Sequence, residues 1–184
     1  REANDLGRFG MGMKTASFSQ ARRLTVASRV AGGVISCLHW DLDRLADGGG
    51  EWSLLEGPDP EGAAALEPLE RMGSGTIILW ENLDRIVTDG FTVENLFELI
   101  DTVQTELAMT FHRLIAGSSP TFTLRMNGRR VEPWDPFMTG HPSKAWESPI
   151  YPIPGASGVR VQCHVLPHKD MMTAKEAEAA GGPA

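Results

Sequence analysis

Hydrophobic and polar positions alternate in short runs through the first half of the chain and lengthen to a helical period near residue 93. Met13 to Ala21 reads as a short helix, and from Arg23 to Val30 the residues Leu24, Val26 and Val30 share one face, as in a half-buried strand. Ala31-Gly32-Gly33 gives a turn signal before Val34 to Asp41, whose apolar set is Val34, Ile35, Cys37, Leu38 and Trp40; the two runs predict a hairpin. Gly48-Gly49-Gly50 marks a loop, Glu51 to Leu55 a further short strand, and Gly57 to Pro68 a Pro/Gly/Ala-rich connection to a strand at Gly73 to Trp80.

From Val93 to Ala116, Leu96, Ile100, Val103, Leu107, Phe111 and Leu114 recur at spacings of three and four, which predicts one long amphipathic helix. Thr92 suits its N-cap, Glu94 its first turn and Gly117 its stop. After Ser118-Ser119-Pro120 the run Thr121 to Met126 alternates as a strand, Asn127-Gly128 is a type I′ turn signal, and Arg129 to Val131 returns. Gly158 to Leu166 alternates again and is expected to join the same sheet, while Thr173 to Ala184 reads as a frayed helix or disordered tail. The expected fold class is α+β, antiparallel strands laid beside helices.

Composition fits a globular chain of one to two small units: 184 residues, 41% hydrophobic and 22% charged. No apolar run is long enough to span a membrane, no signal peptide is visible, and the expected location is cytoplasmic. Two cysteines, Cys37 and Cys163, are too few for a disulfide framework and read as buried free thiols. The net charge of −7 argues against a chain-wide nucleic-acid surface, and the cluster Arg22, Arg23 and Arg29 reads as a solvated strand edge. His112 stands alone on its helix, and His164 and His168 flank Pro167 across a strand end, so neither has metal-ligand spacing.

The candidate chemistry lies at Asp5-Leu6-Gly7-Arg8-Phe9-Gly10-Met11-Gly12-Met13-Lys14-Thr15, a glycine-rich loop that runs into the first helix. A helix start offers unpaired N–H groups and about half a positive charge, and glycine lets backbone approach a ligand closely. The spacing is that of neither common phosphate motif. A P-loop needs lysine directly after its second glycine, and a dinucleotide fingerprint runs G-x-G-x-x-G, whereas Gly7, Gly10 and Gly12 give the reverse order. Spacing alone therefore leaves two readings, a phosphate cradle and a glycine turn that caps a helix.

The run from Leu6 to Arg29 resembles the second glycine box of the GHKL ATPases (gyrase, heat-shock chaperone, histidine kinase, MutL), and looks closest to the MORC and heat-shock-chaperone branch. Gly73-Ser74-Gly75-Thr76-Ile77-Ile78-Leu79-Trp80 is similar to the strand that closes the GHKL sheet near the base. The resemblance implies ATP as ligand, with Gly7, Phe9, Gly10, Met11, Gly12 and Met13 around the triphosphate and Lys14 as a charge partner. It implies that Thr76 helps fix the adenine, against the plain alternative that it opens a β-branched strand. The same resemblance implies a two-layer α/β sandwich, the second half of a Bergerat-type domain, over residues 1–117. Residues 118–184, with Glu132-Pro133-Trp134-Asp135-Pro136-Phe137, are similar to the start of a β-α-β transducer domain.

In that family the glycine box closes a lid over ATP, and the catalytic Glu, the Asn that binds Mg²⁺ and the adenine-reading Asp precede it; neither the Glu/Asn helix nor the Asp box occurs in this sequence. The chain is accordingly expected to be a fragment that does not hydrolyse ATP alone, with Mg²⁺ held by residues upstream. Dimerisation of the full-length protein is a further expectation of the resemblance, and a client protein or DNA stays open. The alternative function is a protein-interaction scaffold that keeps the fold without nucleotide chemistry; a DNA-repair-like role would need a basic groove.

Overall fold

The computed structural model describes residues 11–47, 53–143 and 146–180. The chain divides into two compact units, Arg1–Thr92 and Val93–Ala184, so the long helix heads the second.

The first unit is a helix followed by an antiparallel sheet. Helix α1 spans Gly12–Phe18, and strands β1 (Arg23–Arg29), β2 (Ser36–Asp41), β3 (Leu55–Glu56) and β4 (Gly75–Glu81) lie in the order β3-β2-β1-β4. The predicted hairpin pairs Leu24 with Trp40 and Val26 with Leu38; on the other side β1 pairs Leu24 with Trp80 and Ser28 with Thr76. Because side chains alternate across a pleated sheet, the register sorts the residues into two faces. One carries Arg23, Thr25, Ala27 and Arg29 with Cys37, His39, Asp41, Leu79 and Glu81; the other carries Leu24, Val26 and Ser28 with Leu38, Trp40, Thr76, Ile78 and Trp80.

The connection expected between residues 57 and 68 is partly helical: a 3-10 turn at Ala63–Leu66 leads into α3, Glu67–Arg71, and α2 (Leu42–Asp47) follows β2. Alanines and Leu66 supply helix propensity that the flanking Pro and Gly residues obscure in the sequence. This segment covers the Arg23 face. Leu69 is fully buried, the His39 Nδ1 lies 2.7 Å from the Gly57 carbonyl, and a Cβ at Gly62 would meet the Leu79 side chain at 2.8 Å, so a side chain there would have to displace it.

In the second unit the predicted helix appears as α4 (Val93–Thr110) and a single turn, α5 (His112–Ile115), broken at Phe111. His112 Nδ1 lies 2.7 Å from the Met109 carbonyl, the acceptor that a continuous helix would use for its own ladder. The apolar stripe is covered only towards its C-terminal end. Ala108 and Ile115 pack with Val131, Phe111, Leu124, Met126 and Trp134, whereas Val93 and Phe97 are about three-fifths exposed.

The Asn127-Gly128 turn forms as expected, with φ of 49° and 79°, between β5 (Arg125–Met126) and β6 (Arg129–Arg130). The expectation that residues 158–166 join this hairpin is not met. Instead β9 (Arg160–Val161) pairs with β8 (Tyr151–Pro152), and β10 (His164–Val165) with β7 (Trp146–Glu147). Ser148, 4% exposed, fastens these two pairs: its N–H donates to the Cys163 carbonyl and its hydroxyl accepts from the Cys163 N–H. The expected burial of both thiols is not met: Cys163 is exposed and stands between two-residue strands that build no core face, and Cys37 is only half-buried, near the start of β2. At the chain's end Thr173 and Glu176 form a reciprocal capping box on α6 (Ala174–Ala179).

Candidate functional site

Among the sequence-predicted site residues, Met11, Gly12, Met13, Lys14 and Thr76 are described; Gly7, Phe9 and Gly10 lie outside the described residues. Met11 is the N-cap of α1, and Gly12 and Met13 open the helix. No side chain caps this turn and no acidic residue stands in it, so nothing in the described first turn opposes a negative charge. Gly12 has open space where a Cβ would stand.

Helix α1 is fastened to the Leu24 face of the sheet by two tryptophans. Trp80 Nε1–H donates to Ser17 Oγ at 2.8 Å, and Ser17 Oγ–H donates to the Met13 carbonyl at 2.7 Å. Phe18 meets Trp40 edge-on with centroids 6.3 Å apart, and the Lys14 ammonium sits 5.1 Å from the centroid of the same ring. Lys14, Ser17 and Phe18, at spacings of three and four, are one face of the helix. Lys14 therefore already has a partner, a cation–π contact on Trp40.

Thr76 opens β4 on this same face and is exposed. Its hydroxyl lies 2.9 Å from that of Ser28, and Ser28 Oγ–H donates to the Gly75 carbonyl at 3.3 Å. With the Ser28 proton so used, Thr76 donates to Ser28 and keeps its lone pairs as acceptors. Thr76 stands four residues along β4 from Trp80, about 13 Å at strand rise. Between them Ile78 is 49% exposed, so the sheet face from α1 to the hydroxyl pair is open.

The opposite face is closed and charged. Arg23, whose side chain is 13% exposed, lies within 3.2 Å of Asp41 and Asp59, 3.6 Å of Glu61 and 3.7 Å of Glu81. The reading of Arg22, Arg23 and Arg29 as a solvated edge is thus overturned: Arg22 pairs with Asp43 and Asp84, and Arg29 donates to the carbonyls of Gly33, Glu70 and Met72. Alternation put Arg23 on a solvent face, but the covering segment supplies carboxylates that make its burial tolerable. Burial opposes the Arg23 charge, but Asp59, Asp41 and Glu81 outweigh it and raise its pKa. Burial also raises the Glu81 carboxyl, reinforced by Asp59 and Glu61 and opposed by Arg23 and His39. Asp41 moves down: burial is outweighed by the N–H groups of Asp43 and Arg44 and by Arg23. Glu81 Oε2, Thr25 Oγ1 and Arg23 Nη1 are buried without hydrogen-bond partners.

Among the described residues no group of three or more His, Cys, Asp and Glu is arranged to hold a metal ion. No described helix is long and apolar enough to cross a membrane. The residues that the sequence reading missed are Ser17, Ser28, Phe18 and Trp40. The available signal was register: a hairpin that pairs Leu24 with Trp40 sets both on the face that also carries Trp80 and Thr76.

No curated protein and no solved structure matches the chain. A family model described as "Histidine kinase-, DNA gyrase B-, and HSP90-like ATPase" does match, over residues 1–76, the stretch from the glycine-rich loop through α1 to Thr76, and supports the GHKL resemblance for that part of the chain.

Proposed function

We propose that the first unit binds ATP on the Leu24 face of its sheet, the start of α1 taking phosphate and Thr76 the base side. The carrying observation is that Trp80, which fastens α1 through Ser17, and Thr76 lie on one sheet face, about 13 Å apart along β4, with α1 and Thr76 inside the matched segment. Gly7, Phe9 and Gly10 complete the phosphate side in this reading, and Met11, Gly12 and Met13 lend backbone N–H groups. ATP supplies the negative charge that the uncapped turn lacks, and Thr76 accepts a hydrogen bond from the base side, directly or through water. The MORC or heat-shock-chaperone branch, coupling of nucleotide to a transducer over residues 118–184, and dimerisation of the full-length protein belong to this same reading. Mg²⁺ enters it as an ion held by residues upstream, as the resemblance implies.

Titration of the protein with ATP, followed through its amide resonances, tests the proposal. Saturable shifts at Met11 to Lys14 and at Thr76 are expected, reduced by Gly12→Ala. Shifts confined to one end, or none at millimolar ATP, would sink it.

A further inference from the structure

A groove of about 540 Å³ in the second unit is lined by Arg113, Ile150, Gly158, Arg160, Val161 and Gln162. Its lining residues include two arginines and no acidic residue. Arg22, Arg23, Arg71, Arg85 and Arg130 stand within 4.0 Å of an acid, whereas Arg29, Arg44, Arg125 and Arg129 do not among the described residues. Arg113 and Arg160 have no acidic partner among the described residues, although they share one cavity.

Arg113 is backed by a ring, and Arg160 is placed by its hairpin. Arg113, on α5, lies 5.2 Å from the centroid of Phe137, and Phe137 stacks on His164 at 4.5 Å, so an aromatic layer supports that guanidinium. Arg160 sits on β9, paired with Pro152 across a hairpin whose turn is closed by Gly155 and Gly158 at φ of 77° and 80°. Gln162 donates its amide N–H to the Ser148 carbonyl at 3.1 Å, which fixes the groove wall and leaves its side-chain carbonyl as the one acceptor that this residue presents.

Two like charges facing one cavity repel each other unless an anion lies between them, and a guanidinium fork matches the oxygens of phosphate and carboxylate. We propose that this groove binds a dianionic oxyanion, with Arg113 and Arg160 as its two charge partners and Ile150 and Val161 as contacts for an apolar portion. Phosphoryl groups and dicarboxylates share this chemistry.

The test is titration of the whole protein with inorganic phosphate and, separately, with succinate, at constant ionic strength, read by amide shifts at Gly158, Val161 and Gln162. Saturable shifts with either probe support the site, and the tighter probe identifies the ligand class. Arg160→Gln, on an exposed hairpin, should weaken the response about tenfold, the scale of one charge-assisted hydrogen bond. Arg113→Gln should do the same, and Arg130→Gln, at a different cavity, should change nothing. Linear shifts with both probes, or equal affinity in Arg160→Gln, would overturn the proposal. Phosphate bound at α1 would move Met11 to Lys14 instead, so failure here leaves the ATP reading untouched, and the reverse holds.

Discussion

On one face of the four-stranded sheet a single guanidinium is ringed by four carboxylates beneath residues 57–71, whereas on the other two tryptophans hold α1 at one end and leave a hydroxyl pair open at the other. The two faces share β1, β2 and β4 and differ by one residue of register. Charge on the first face is enclosed, so its interactions act on stability. Apolar surface on the second is left uncovered by the described residues, and an uncovered apolar surface flanked by polar groups is where a ligand gains most. The first face serves stability, the proposed binding site lies on the second, and the contrast can be broken from either side.

The largest expected effect is on the closed face. Arg23→Ala leaves Asp41 and Glu81 buried with no cation between them, and should destabilise the protein by about 3–5 kcal/mol, the range for removing one partner of a buried pair. Denaturant unfolding measures it; a loss well below 1 kcal/mol would mean that solvent already screens the cluster. ATP binding by the surviving folded fraction should be unchanged.

Gly12→Ala makes the opposite test. Nothing within 4 Å would meet the new Cβ and Gly12 is already helical, so the folded state should lose no stability. ATP affinity should fall about tenfold, the scale of a displaced charge-assisted hydrogen bond. Equal loss of stability and affinity would erase the distinction between the faces at this position.

Trp80→Phe removes the indole N–H that Ser17 accepts while keeping an aromatic ring on the open face. A loss of about 1 kcal/mol is expected, the net value of a typical hydrogen bond. Circular dichroism of α1 together with unfolding reads it, and no change would show that Phe18 on Trp40 alone fastens the helix.

The closed face also sets a pH dependence. The folded Glu81 pKa lies above its ordinary value, so its contribution is fully present below the ordinary carboxylate range and is lost as pH rises through the raised value. Asp41 is shifted down, so its contribution is present above the ordinary range and is lost as pH falls through the depressed value. Glu81→Gln should therefore be more stable than the natural protein at pH 7, with the advantage vanishing towards pH 4. An advantage independent of pH would show that Glu81 does not titrate upward.

Much of the open face was legible because local signals agree with the fold: strand alternation from Leu24, the turn at Gly32-Gly33 and the β-branched run from Thr76 each predict the element that forms. The closed face was not, since Arg23 looks solvated until Asp59 and Glu61, some 36 residues on, are folded above it. Pairing between distant strands escaped for the same reason. Gly158 to Leu166 has the right alternation for a strand, but its partners are set by Ser148 and by the turn at Gly155, which periodicity does not register. The glycine-rich loop was recognised by its residues, while the contacts that fasten α1 to the sheet depend on Trp40 and Trp80 arriving at one point of one face.

The smallest expected effect separates two uses of one residue. Lys14 rests on Trp40, and a cation–π contact at an exposed site contributes about 0.5–1 kcal/mol. Lys14→Met keeps the aliphatic stem over the ring and discards the charge, so it should cost no more than that in stability and should change the Trp40 fluorescence. If phosphate competes with Trp40 for the ammonium, the same variant weakens ATP binding, and the natural protein shows a fluorescence change on adding ATP that the variant lacks. If Lys14 only fastens the helix, ATP affinity stays as it was and both proteins give the same response. The second result would move Lys14 from the proposed site's chemistry to its scaffolding, leaving phosphate in that proposal to the backbone of the first turn.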